Sequence, residues 1–216
     1  MKLLKRPSLY PPLRAVGSAI FGCSVVYAAC CLNASFGLKF VQAQSAGPVN
    51  GAPKGWFMAG SKPNNYQTGV DREVVANGLP SAFLKSAVSP TGGFGTLMQT
   101  IGAKDYGGRR VRLRAWVRSQ DLSDWSGVWM RVDKGTASVA FDNMHDRPIK
   151  GTRSWETCDV VLDVPQDATA ISFGILLSET GEVWMNNVSF EIVGNEVPTT
   201  GSTSNQTRPA NLNFTE

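Results

Sequence analysis

Few residues in this sequence have the types and spacing that catalysis needs. The one histidine, His145, sits among Asp142, Asn143, Asp146 and Arg147 in a stretch that reads as a loop. A hydrolytic triad requires a base oriented by a carboxylate beside a nucleophile, and no Gly-x-Ser-x-Gly and no second histidine complete one. Glycoside hydrolysis needs two carboxylates flanking a bond. On a strand Glu156 faces away from Asp159 and Asp163, so these acids read as solvated charges. Gly92-Gly93 and Gly107-Gly108 lack the following Lys-Ser/Thr of a phosphate loop and read as turns. The sequence therefore nominates no catalytic residue and no metal ligand set. An uncharacterised hydrolase with a site on the loop from Asp142 to Lys150 is the weakest reading.

The residues that stand out instead are aromatic and cationic. Period-two alternation keeps Arg112, Arg114 and Trp116 off the core on one strand, and Trp129, Arg131 and Asp133 off it on the next. If those strands are neighbours in one sheet, two indoles, several guanidiniums and a carboxylate converge. Flat rings stack on the aliphatic faces of a sugar while Arg, Asp, Asn and Gln bond its hydroxyls. Gln99, Asp142 and Asn143 would complete the polar rim. The candidate ligand-binding set is thus Trp116, Trp129, Arg114, Arg131, Asp133, Gln99, Asp142 and Asn143, and the ligand class is a carbohydrate or another polyhydroxylated molecule. The rival is structural: Arg over Trp is also a packing device, and Arg131 with Asp133 makes an ordinary ion pair. Its hallmark would be a Trp/Arg face closed by internal pairing. Trp56, Trp125, Trp155 and Trp184 read as core or strand-end packing.

Strands must position these groups. Alternation predicts them at Tyr66–Arg72, Ala82–Val88, Gly93–Ile101, Arg110–Arg118, Ser126–Asp133, Ala137–Phe141, Trp155–Val164, Ala168–Leu177 and Glu182–Val193, with a short helical turn near Ala103 to Tyr106. About nine antiparallel strands must close into two facing sheets or a barrel, because one open sheet would expose a face and two edges. The predicted fold is all-β, a jelly-roll β-sandwich over residues 55–197.

The rest of the chain reads as appendage. A basic start, an apolar run from Ala15 to about Phe36 and Val41-Gln42-Ala43 have the order of a secretory signal, cleaved after Ala43, or of an uncleaved membrane anchor. Residues 44–54 read as a linker and 198–216 as a disordered tail. Five of the 21 basic residues precede residue 44, leaving 16 against 17 acids, so the overall +4 belongs to the leader and gives no ground for nucleic-acid binding. The expected location is secreted or periplasmic, with membrane contact only through an uncleaved leader. Beyond the leader one cysteine remains, Cys158, so no internal disulfide forms and the core must supply stability.

Several segments together resemble the jelly-roll modules similar to carbohydrate-binding modules, within the galactose-binding-like group. They are Gly55-Trp56-Phe57-Met58-Ala59-Gly60-Ser61, Tyr66-Gln67-Thr68-Gly69-Val70-Asp71, Gly93-Phe94-Gly95-Thr96-Leu97-Met98-Gln99, Val128-Trp129-Met130-Arg131-Val132-Asp133, Phe141-Asp142-Asn143-Met144 through Lys150-Gly151, and Val183-Trp184-Met185-Asn186-Asn187-Val188-Ser189-Phe190. The resemblance covers nearly all of residues 54 to 200. A close variant looks like the module appended in bacteria to AraC-type regulators, peptidases and erythromycin-esterase-like enzymes, which implies a ligand-sensing or ligand-binding part. The export leader argues against a DNA-bound role here. Many such modules hold a structural calcium partly through an Asp near the start of the last strand. Asn186-Asn187 stands there in this sequence and lacks the anionic ligand a hard cation prefers, so no cofactor is expected.

Overall fold

The computed structural model describes residues 49–201. The expected signal segment, and the tail beyond residue 201, lie outside the described residues. Ten antiparallel strands form the domain: β1 (Val49–Asn50), β2 (Phe57–Gly60), β3 (Tyr66–Ala76), β4 (Leu79–Ser86), β5 (Phe94–Gly102), β6 (Arg109–Lys134), β7 (Ala137–Asp142), β8 (Ile149–Val164), β9 (Ala170–Ser178) and β10 (Glu182–Val193). Single 3-10 turns at Pro63–Asn65 and Lys104–Tyr106 are the helical elements among the described residues, the second where the short turn was expected.

All ten strands belong to one hydrogen-bonded sheet, ordered β1-β3-β4-β10-β6-β9-β5-β2, with β7 and β8 also pairing β6. The sheet curls because β6 runs for 26 residues and takes part in both halves. Its residues 109–120 pair with β10 on one side and β8 on the other, whereas 125–133 pair with β9 and 130–134 with β7. Between them the register with β8 shifts repeatedly and Asp121 adopts a left-handed φ of 52°, the irregularity by which a bulged strand bends. Arg110–Arg118 and Ser126–Asp133 are accordingly two arms of one strand, not consecutive strands of one sheet. Alternation detects the arms but not the corner, since it senses only which side is buried.

The two halves share one core. Val111, Leu113, Ala115 and Val117 of the first arm, and Val128, Met130 and Val132 of the second, are all essentially inaccessible, and they cluster with Leu84, Leu97, Val160, Leu162, Ile171, Ile175 and Val183. This curled, two-layered arrangement is consistent with a β-sandwich. The described structure extends beyond 55–197 at both ends. Val49 and Asn50 pair with Val70 and Gly69, and Thr200 bonds Val161 on the free edge of β8 through its N–H to the Val161 carbonyl (2.9 Å) and its Oγ1 from the Val161 N–H (2.8 Å).

Candidate functional site

Because the two arms of β6 lie in different halves, the outward residues of each arm look out from different layers. Trp116 and Trp129 do not converge. On the first half, register places Arg110 opposite Asp163, Arg112 opposite Glu191 and Arg114 opposite Asp159. Each pair is closed: Arg110–Asp163 at 2.7 Å, Arg112–Glu191 at 2.6 Å and Arg114–Asp159 at 2.6 Å, with Arg110 and Arg114 gripping their carboxylates bidentately. The hydrogen bond and charge of Asp159 raise the Arg114 pKa above its ordinary value. This ladder of alternating cross-strand pairs leaves Trp116 beside guanidiniums that already have partners.

The second half presents a cleft. Its outward row reads Trp129, Gly174, Met98 and Phe57 across β6, β9, β5 and β2. Gly174 contributes no side chain, and a Cβ there would fall 2.2 Å from the Leu97 carbonyl oxygen. The indole of Trp129 is 7% exposed and its Nε1 donates to Thr96 Oγ1 at 2.7 Å, while Thr96 Oγ1 itself donates to the Ile175 carbonyl at 2.8 Å. Trp129 is the floor of this cleft. Its walls are Phe94, Met98, Leu176 and Phe141, with Arg131 and Asn143 at the rim, enclosing about 440 Å³. Phe141 is the open ring of the cleft, 49% exposed, while Phe57, 45% exposed, stands at the end of the row on β2 and does not line it. Arg131 holds Asp133 through Nε and Nη2 (3.1 and 3.0 Å).

The remaining expected site residues lie elsewhere. Asp142 is 4% exposed and its carboxylate is fully engaged by Arg147 Nη2 (2.5 Å), Thr200 Oγ1 (2.5 Å) and the Met144 N–H (2.8 Å). Burial raises its pKa, but those donors outweigh burial and hold the carboxyl below its ordinary range. Asp142 therefore pins the 142–148 loop and leaves Asn143 at the cleft. Gln99 pairs in register with Phe173 and occupies the inward phase of β5, so it faces a different opening, between the layers. Of the eight expected residues, Trp129, Arg131, Asp133 and Asn143 gather on the outer side of the second half; Trp116 and Arg114 lie on the first half, Asp142 is buried, and Gln99 faces inward. Phe94, Met98, Phe141 and Leu176 were missed, although their signal was present as apolar residues in the outward phase of strands.

His145 packs edge-on against Trp125 at 5.5 Å in its loop. Trp184 is buried, donates to Asp71 Oδ2 at 2.9 Å and lies under Arg118. At the position considered for calcium, Asn186 Nδ2 donates to the Leu79 and Pro80 carbonyls (2.9 and 2.8 Å) and its Oδ1 accepts from the Asn187 N–H. Its donors point at carbonyls a cation would need and its own oxygen is spent, so these residues do not fit calcium. Among the described residues no cluster of three metal-ligating side chains occurs.

No protein-family model matches the chain. The chain is 42% identical over 170 residues to the uncharacterized HTH-type transcriptional regulator YbfP of Bacillus subtilis, an alignment covering 76% of this chain and 57% of that protein. The chain thus spans little more than half the length of that relative. The described residues hold no α-helix and so no helix-turn-helix. Among solved structures, the apo form of a cyclase from Fischerella sp. superposes at a TM-score of 0.50 with 16% identity, covering 73% of this chain and 92% of that one. A xylan-binding domain of Xyn10C from Paenibacillus barcinonensis gives 0.48 with 14% identity, covering 66% and 88%. The cyclase superposition is a likeness of fold alone.

Proposed function

We propose that this domain is a non-catalytic, exported jelly-roll module that binds a carbohydrate or another polyhydroxylated ligand in the cleft of the second half. The observation that carries this reading is the contrast between the two outer faces. One is closed by three Arg–carboxylate pairs, whereas the other keeps the half-exposed ring of Phe141, with Phe94, beside Arg131 and Asn143 around a cleft of about 440 Å³. Ring faces supply stacking area for C–H groups, and a guanidinium with a carboxamide supplies directional bonds for hydroxyls. The alignment with part of an HTH-type regulator fits a module that recognises a ligand and can serve more than one host protein.

The test is a glycan array with thermal-shift confirmation, xylo-oligosaccharides included, on wild type and on Phe141→Ala and Arg131→Ala. Saturable binding lost in both variants, with their folds retained, supports the reading. Silence across the array, or binding that survives both variants, overturns it.

A second reading, a structural or protein-interaction domain of the cell envelope, draws on the first face, where the Trp/Arg set is closed by internal pairing. Under it the glycan array stays silent while both variants remain folded.

A further inference from the structure

A second cleft, of about 460 Å³, opens between the layers. Inward residues of both halves line it: Val70, Ala82, Met185 and Phe190 from the first, Phe173 and Gln99 from the second, with Trp56 at the side. Three rings there are mutually oriented, Trp56 edge-on to Phe173 at 5.9 Å and Phe173 stacked on Phe190 at 5.0 Å.

Two observations set this opening apart from a packing defect. Inward positions of β5 are otherwise Gly95, Leu97 and Ile101, yet Gln99 places a carboxamide there. The Gln99 carboxamide makes no hydrogen bond to the described residues and stays open to the cleft, so its donor and acceptor are both presented to whatever enters it. Beside it, β10 is bulged between Asn186 and Ser189, with Asn187 in the left-handed region at φ 48°. The bulge sets Val188 at the mouth of the cleft instead of extending the ladder across it, a strand irregularity typical of site margins.

We propose that this inter-layer cleft is a second ligand site, for a small planar apolar ring bearing a carboxamide that pairs with the Gln99 amide. The stacked rings take the flat body, and a primary amide offers the donor and acceptor that Gln99 needs at one place. The site is separate from the outer cleft, and neither proposal depends on the other.

Methionine methyl NMR on the full-length chain distinguishes the two, because Met185 lines the inter-layer cleft and Met98 the outer one. Benzamide at millimolar concentration is expected to shift the Met185 methyl saturably and leave Met98 in place, with toluene as the ring lacking the amide. Gln99→Leu should weaken benzamide by about five-fold, the worth of one net hydrogen bond, and leave toluene binding unchanged. Gln99→Glu, nearly isosteric, serves as the second variant should the leucine protein not fold. A Met185 signal indifferent to benzamide, a shift confined to Met98, or equal effects of the folded variant on both probes would overturn the proposal.

Discussion

The indole N–H of Trp129 reaches across β9 to the hydroxyl of Thr96 on β5, a buried 2.7 Å hydrogen bond between two strands that do not pair with each other. Gly174 lies between them in the ladder and has no side chain to block the bridge. The bond ties Trp129 to the scaffold more than to any ligand. Trp129→Ala should therefore cost about 3 to 5 kcal/mol of stability, as for other buried large-to-small changes. Thr96→Val should cost about 1 to 3 kcal/mol by stranding the indole donor. Chemical denaturation measures both; a Trp129→Ala protein as stable as wild type would show that the indole is not the floor of the cleft.

Phe141 is the opposite case. Half exposed on β7, it should tolerate alanine with a stability change of about 1 kcal/mol or less. Any ligand seated in the outer cleft should lose most of its affinity, since truncating a stacking ring removes contact that nothing else supplies. Isothermal titration of Phe141→Ala against Arg114→Ala separates the faces. Arg114→Ala and Trp116→Ala should leave affinity unchanged, and Arg114→Ala should change stability by at most about 1 kcal/mol because the pair is partly exposed and screened. Loss of affinity in Arg114→Ala would return the site to the first face.

The strands themselves were legible in the sequence because burial imposes period two, and the arms of β6, together with β5, β9 and β10, lie close to where alternation places them. What alternation does not encode is which layer an arm enters. The corner at Asp121 depends on a left-handed residue and shifted pairing with β8, neither of which leaves a periodic mark, and it is this corner that separates Trp116 from Trp129. The short strands β1 and β2 also escaped, since two or four residues carry too little pattern. Gln99 shows a subtler failure. Its polarity suggested a surface rim, whereas its phase, shared with Leu97 and Ile101, already placed it inward.

Acid should destabilise the domain partly through Asp142. Its carboxyl is held below the ordinary value of 3.8 by Arg147, Thr200 and the Met144 N–H despite burial, so the folded chain binds that proton less readily than the unfolded chain. Its contribution is complete above the ordinary carboxyl range and fades as pH falls through that range toward the lowered folded value. Glu182 acts in the reverse sense: burial raises its pKa, so it opposes folding at neutral pH and this penalty disappears on acidification. Asp142→Asn should lower stability at pH 7 by about 2 kcal/mol, the worth of a charge-assisted bond, and flatten the loss of stability between about pH 5 and pH 3. Urea titrations across that range check it; an unchanged pH slope in the variant would mean that the loop pin does not couple to folding.

Cys158 offers a reporter of opening. It is buried in the core on β8, and burial, aided by the charge of Glu156, pushes its thiol pKa up to about 12. The thiolate is the reacting species, so at pH 8 only about one molecule in ten thousand carries it even before access is considered. Iodoacetamide should leave Cys158 unmodified in the folded protein and label it promptly in denaturant, read peptide by peptide in a mass spectrometer so that other cysteines do not confuse the count. Labelling in native buffer should then be limited by transient opening of the β6–β8 ladder, and Arg114→Ala should raise it only modestly, because Asp159 pairs on the outer face while Cys158 opposes Ala115 on the inner one. Rapid labelling of the native protein at a rate set by reagent concentration alone would show that β8 is detached from the sheet in solution.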